Sequence, residues 1–252
     1  MGQTLVYGFH AVLARLRQDP QSVRTLYAEA RREDRRMREL LTAAEAAGVR
    51  VLRVERGRLD GLTGRAAHQG VVAQVASWRV TVSLEELLEK LAEPPLLLVL
   101  DGLQDPHNLG ACFRVADAFG VHAIVAPKNR AVGLTPAVRK VASGAAETVP
   151  LVTVTNLART LETLKARRVW VWGADPAGER LPSELPLEAG AAWVLGAEGR
   201  GLRRLTRERC DALVRIPMRG QVESLNVAVA AGICLYESRM RRAELAKAQL
   251  TP

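Results

Sequence analysis

The chain has 252 residues, 48% of them hydrophobic, which is enough for one large domain or for a small one beside a larger one. Its net charge of +9, carried almost entirely by arginine, favours a polyanionic partner over mere solubility, while an aromatic content of 4% excludes stacking on an aromatic platform as the main mode of nucleic-acid recognition. Cys112, Cys210 and Cys234 show no CxxC spacing and the histidines no ligand spacing, so a disulfide framework and a metal site are both unexpected, and a reducing cytoplasm fits.

Along residues 1–76 the pattern reads as a small α/β unit. Gly8–Leu16 carries a helical apolar stripe, Val23–Ala28 suits a strand, Asp34–Ala47 is helical and stops at Gly48, and Val49–Val54 and Gly70–Ala76 are further strands. This stretch holds 13 arginines and 8 acids, so it carries +5 of the total charge. Arg31–Arg38 is either a solvated, salt-bridged face or a stripe that tracks phosphates; Gly64–Gly70 either contacts RNA or fixes the entry to the strand.

Residues 77–95 read as a linker with one short helix, Leu84–Leu91, opened by Ser83 and Glu86 in a capping-box pattern and closed by Pro94-Pro95. From residue 96 to 252, strand and helix alternate. Leu96–Leu100 is a continuous apolar run of the kind found in buried parallel strands, and it is followed by a helix over Asn108–Phe119. Val121–Ala126, Thr148–Val154, Val169–Gly173, Ala192–Leu195 and Leu213–Ile216 read as strands, Pro136–Ser143 as a helix, and Leu225 to about Lys247 as a long amphipathic helix. Repeated βα units predict a mostly parallel sheet. No run reaches transmembrane length, so no membrane partner is expected.

The turn after the first strand of this region, Asp101–Gly110, contains neither GxGxxG nor a Walker pattern, which argues against a dinucleotide or nucleoside triphosphate. Three segments instead place polar groups at strand ends and helix starts, where open α/β sheets bind ligands. In the first, Asn108 either caps its helix or orients a ligand, and Arg114, beside Phe113 and Val115, is expected to be buried and so to need a carboxylate or a substrate phosphate. In the second, Glu198 sits among Gly196, Gly199 and Gly201. In the third, Ser224 is the expected helix cap, and Asn226 is left for a ligand or a neighbouring loop.

Asn108-Leu-Gly-Ala-x-x-Arg114, Leu195-Gly-Ala-Glu-Gly-x-Gly-Leu202 and Ile216-Pro-Met-x-Gly-x-x-x-Ser-Leu-Asn-Val-Ala228 together resemble the three motifs of the SpoU branch of the SPOUT RNA 2′-O-ribose methyltransferases. Tyr7-Gly-Phe-His10 and His68-Gln-Gly-Val71 look like the small ribosomal-protein-like substrate-binding domain of the bacterial enzymes that methylate guanosine in 23S rRNA. The resemblance implies a trefoil-knotted α/β methyltransferase domain, a cytoplasmic homodimer, S-adenosylmethionine as cofactor and RNA as substrate, with 23S rRNA favoured over tRNA. It assigns Arg114 to the ribose hydroxyl, with Asn108, Glu198, Ser224 and Asn226 around it, and lines the cofactor pocket with Gly196, Ile216, Met218 and Leu225. A non-catalytic RNA-binding factor of the same fold is the main rival, and a nucleotide-dependent α/β enzyme the second.

Overall fold

Short apolar runs and amphipathic helices assemble into two sheets in a computed structural model that describes residues 3–76 and 83–250. The described residues form two compact units. One contains the first sheet together with residues 143–148, and the other contains the rest.

The first unit runs β1 (Gln3–Tyr7), α1 (Phe9–Gln18), β2 (Val23–Glu29), α2 (Arg35–Ala46), β3 (Arg50–Val54), α3 (Arg56–Thr63) and β4 (Val71–Ala76). Its strand order is β1-β4-β2-β3, with β4 antiparallel to both neighbours and β2 parallel to β3. Val12, Leu26, Met37, Leu40 and Val71 fill the core between sheet and helices. Asp34 starts α2 by accepting from the backbone N–H of Arg36 at 3.0 Å and of Met37 at 3.2 Å. The pattern did not reveal α3, because Gly57 and Gly61 lower its propensity and its buried anchor is Leu59.

Gly64–Gly70 serves as a structural turn. His68 is buried, its Nδ1 accepts from Gly70 N–H at 3.0 Å, and its Nε2 lies 3.0 Å from Asp60. Arg32 bonds to Asp34 and to the Gln69 carbonyl and lies over the Phe9 ring, whereas Arg31, Arg35, Arg36 and Arg38 are exposed, with no side-chain hydrogen bond or ion pair among the described residues. That stretch therefore combines the Arg32–Asp34 ion pair with four solvated guanidiniums.

The second unit runs α4 (Leu84–Glu89), β5 (Leu96–Asp101), α5 (Pro106–Ala118), β6 (Ala123–Pro127), α6 (Pro136–Ala142), β7 (Leu151–Val154), α7 (Leu157–Ala166), β8 (Trp170–Ala174), β9 (Ala191–Gly196), α8 (Arg204–Arg209), β10 (Ala212–Val214) and α9 (Val227–Leu250). Ser83 caps α4 by accepting from Glu86 N–H at 3.1 Å, and Leu84 and Leu87 pack into the core formed by the sheet. The six strands are all parallel in the order β10-β8-β9-β5-β6-β7. After β5 the chain builds outward through β6 and β7, then crosses to the other side for β8. The reversal beside β5 is a switch point, where the carboxyl ends of the strands leave a crevice. Cys112 and Cys234 are fully buried, and burial pushes the thiols of all three cysteines up to about 12, so none is a ready nucleophile.

The amino-terminal ends of the central strands β5 and β9 are clasped by α9. Trp193 Nε1 donates to Ser238 at 2.8 Å, and Arg242 donates to the carbonyls of Pro94, Pro95, Leu187 and Ala189. Arg239 holds both oxygens of Glu93 at 3.1 Å. Glu93 in turn lies 2.9 Å from His122 Nε2, while His122 Nδ1 accepts from Leu96 N–H at 2.9 Å. With Nδ1 an acceptor, the ring is neutral, and burial holds its pKa below the ordinary 6.5 despite Glu93.

The Arg239 hydrogen bonds hold the Glu93 carboxyl below its ordinary 4.5. Both folded-state values are depressed, so both groups stabilise the fold above their unfolded pKa. Stability is then expected to fall as pH drops below 6.5, and further below 4.5. Urea unfolding followed from pH 8 to pH 4 checks this, and His122→Gln flattens the upper part of the curve.

Candidate active site

The site is assembled at the carboxyl ends of β5 and β9, beside the switch point. Three of the expected catalytic residues meet there from separate segments. Asn108 Nδ2 donates to Glu198 Oε1 at 2.8 Å; Asn226 Nδ2 donates to Asn108 Oδ1 at 2.8 Å and to the same Glu198 oxygen at 3.0 Å. One carboxylate oxygen thus gathers two amides, and the arrangement fixes which end of each amide faces which neighbour.

Local sequence explains each position. Asp105 caps α5, accepting from His107 N–H at 3.0 Å and Asn108 N–H at 3.3 Å, with Pro106 as the first helical residue. Asn108 is therefore inside the helix rather than its cap, and its buried side chain is turned to Glu198. At the other end of the cluster, Asn226 caps α9, its Oδ1 accepting from Ala228 N–H at 2.9 Å. The capping role expected of Ser224 thus falls to Asn226, whose amide also holds the neighbouring Glu198 loop as expected. Ser224 is exposed and makes no hydrogen bond among the described residues, and α9 begins at Val227, directly after the capping Asn226.

Glu198 is carried by a tight turn after β9. Gly201 N–H returns to Ala197 carbonyl at 2.9 Å, and Gly199 and Gly201 have φ of 74° and 63°. A side chain at Gly196 would put its Cβ 2.0 Å from the carbonyl carbon of Gly201, so only glycine lets the turn close on the strand end. Asp101, buried at the end of β5, secures the far side of this turn: its Oδ2 accepts from Arg203 N–H at 2.9 Å and its Oδ1 lies 3.5 Å from Arg203 Nε. The sequence reading missed this tie, although an acid closing a wholly apolar strand was its signal. A cavity of about 330 Å³ opens between the 101–105 and 197–203 loops.

Arg114 departs from expectation. It is exposed and has no hydrogen bond or ion pair among the described residues. At about 100° per residue it lies about 240° round the helix from Asn108, whereas Cys112, Phe113 and Ala116, which are buried, lie between about 40° and 140°. Its apolar neighbours in sequence are thus on another face. It stands about 9 Å along the helix from Asn108, with its guanidinium presented to solvent rather than paired internally.

Ile216, Met218 and Leu225 are half-buried apolar side chains on the segment between β10 and α9, whose strand ends share the edge that carries Gly196. Bare backbone at a strand end with apolar cover suits a bulky cofactor without phosphates, and the βα turn after β5 offers no glycine-rich phosphate loop. Among the described residues, no group of three or more His, Cys, Asp or Glu is placed to hold a metal ion, and no helix is long and apolar enough to cross a membrane.

The model of the SpoU rRNA Methylase family matches residues 95–236, the whole region that carries this geometry. The chain belongs to the SpoU rRNA methylase family. A second model, RNA 2′-O ribose methyltransferase substrate binding, matches residues 5–79 of this SpoU methylase. The chain is 57% identical over 238 residues to the 23S rRNA (guanosine-2′-O-)-methyltransferase RlmB of Ralstonia nicotianae, covering 94% of this chain and 96% of that one. It is 54% identical over 240 residues to the protein of the same name from Neisseria meningitidis serogroup B, covering 95% and 96%.

Among solved structures, the SpoU methyltransferase AviRb of Streptomyces viridochromogenes in complex with AdoMet superimposes with a TM-score of 0.78 at 28% identity, over 96% of this chain and 91% of that one. The A. aeolicus TrmH/SpoU tRNA modifying enzyme superimposes with a TM-score of 0.55 at 27% identity, over 61% of this chain and 80% of that one.

Proposed function

We propose that this SpoU methylase transfers the methyl group of S-adenosylmethionine to the ribose 2′-oxygen of a guanosine in 23S rRNA. The observation that carries the reading is that both parts of the chain match together: relatives named for this activity align over 94% of it, whereas the tRNA-modifying relative covers 61%. The exposed, unpaired arginines of residues 31–38 support an RNA contact by the first unit, and the three unpaired cysteines suit the cytoplasm.

Gly196, Ile216, Met218 and Leu225 would hold the cofactor, which supplies an electrophilic methyl group when bound. The ribose hydroxyl is a poor nucleophile, so the protein must orient it and stabilise charge on its oxygen. Arg114 is the candidate for that task. A guanidinium stays protonated, so it acts by donating to the developing alkoxide and to a neighbouring phosphate, and the hydroxyl proton passes to water. Asn108, Glu198 and Asn226 position the loops around it, and Ser224, free of any capping duty, is available to the ribose.

The working unit in this reading is a homodimer. Val229, Ile233, Tyr236 and Met240 are 39–52% exposed along one stripe of α9 at spacings of four, three and four residues, the seam by which two helices pack. A second copy of the chain is the occupant this stripe fits, and Ile233→Glu is expected to yield a monomer in sedimentation.

The deciding experiment is transfer of labelled methyl from S-adenosylmethionine to unmodified 23S rRNA and to tRNA, followed by mapping of the product. A single ribose-methylated guanosine in 23S rRNA is the expected result; transfer to tRNA alone overturns the target, and transfer to neither overturns the activity.

A further inference from the structure

The cavity of about 330 Å³ beside the Asn–Glu–Asn cluster is rimmed by Asp101, Asp105 and Glu198 and by Arg130, Arg200 and Arg203. Formal charge cancels round the rim, but bonding does not. Asp101 Oδ2 accepts from Arg203 N–H at 2.9 Å, and Oδ1, buried without a hydrogen bond among the described residues, faces the Arg203 guanidinium at 3.5 Å. Asp105 spends its two oxygens on the start of α5, and Glu198 holds two side-chain amides. Arg130 and Arg200 are the rim charges with no hydrogen bond or ion pair among the described residues. Each acid has at least one polar partner, whereas Arg130 and Arg200 have none among the described residues, so these two guanidiniums are the rim groups free to take an anion.

The backbone presents both arginines on fixed turns rather than on loose ends. Arg130 has φ of 61°, in the left-handed region that residues with a side chain avoid. Its loop is tied to the rim by Val132 N–H donating to the Leu103 carbonyl at 2.9 Å. Arg200 stands between the two left-handed glycines of the turn closed by Gly201 and Ala197. Among the described residues no aromatic side chain lines the cavity, so none of them would hold a base there by stacking.

We propose that Arg130 and Arg200 are substrate-positioning residues that clamp an RNA backbone phosphate next to the ribose that is methylated. The proposal rests on the RNA-methylation reading above and adds a phosphate site to it. Guanidinium forks match the non-bridging oxygens of a phosphodiester, and anchoring the phosphate on this rim sets the adjoining ribose beside the cluster held by Glu198.

The test uses the full-length protein and a 23S rRNA fragment that the wild type methylates. RNA affinity is measured over a range of KCl concentrations for the wild type, Arg130→Gln, Arg200→Gln and the double variant, with cofactor affinity measured alongside. Each single change is expected to weaken RNA binding and raise KM for RNA about tenfold, and to reduce the slope of log K against log salt by about 0.7–0.9 per lost contact. It should leave cofactor affinity unchanged and lower kcat less than it raises KM. Lysine at either position should restore the salt slope but only part of the affinity, because it supplies charge without a fork.

A double variant with wild-type RNA affinity and salt slope overturns the clamp while leaving the methylation reading intact, and equal loss of cofactor binding overturns it in favour of a structural role. Failure of the wild type to bind or methylate RNA overturns both readings, and the wild-type control alone reveals that outcome.

Discussion

Arg114→Ala is expected to lower kcat/KM for methyl transfer by at least a hundredfold without changing cofactor affinity or thermal stability. The rate effect follows from the task proposed for it. Removing a single donor that stabilises a developing oxyanion costs about 10²–10³ in rate, or about 2.7–4 kcal/mol. Stability is untouched because the side chain is exposed and holds no partner among the described residues. An arginine serving an internal ion pair would behave oppositely, losing stability when truncated. Arg114→Lys should recover only part of the rate, since an ammonium keeps the charge but loses the fork that spans an alkoxide and a phosphate. A rate within about tenfold of wild type, about 1.4 kcal/mol, would exclude a transition-state role for Arg114.

What the sequence made legible, and what it did not, divides by the range of the interactions involved. The apolar run Leu96–Leu100 and the alternation after it announced a parallel sheet, because burial on both faces writes itself into consecutive residues. Gly196, Glu198 and Gly201 stood out as a loop because glycine is needed where backbone closes on backbone.

Phe113 and Val115, its neighbours in sequence, make Arg114 look buried, whereas helical phase sets it away from the buried stripe of Cys112, Phe113 and Ala116. Serine is a common cap, so the local pattern points to Ser224. Asn226 takes that position, and helix ends are the least determined part of any pattern. Asp101 with Arg203, and Glu198 with its two amides, span 102, 90 and 28 residues, so no local pattern could pair them. The residues of the site were therefore readable one by one, while the bonds that make them a site were not.

Asn226→Asp should separate the two duties of that side chain, and it is expected to reduce methyl transfer about a hundredfold while α9 stays capped. The variant keeps an oxygen to accept from Ala228 N–H, and aspartate caps a helix as well as asparagine does. It loses the amide hydrogens given to Asn108 and Glu198, and it sets a second carboxylate where 3.0 Å now separates an amide nitrogen from Glu198. Two carboxylates that close cannot both stay ionised cheaply, so the pair should retain one proton at a pH where neither would alone.

Below the pKa of the pair, the shared proton restores a donor between the two side chains. Activity should therefore recover partly as pH falls in Asn226→Asp but not in Asn226→Ala. Asn226→Ala should in addition lose about 1 kcal/mol of stability with the cap. Wild-type activity in Asn226→Asp at neutral pH would show that the amide–carboxylate cluster does not position the reacting groups. Loss of activity without recovery in acid, together with a lowered Tm, would mean that the substitution had disturbed the start of α9 instead.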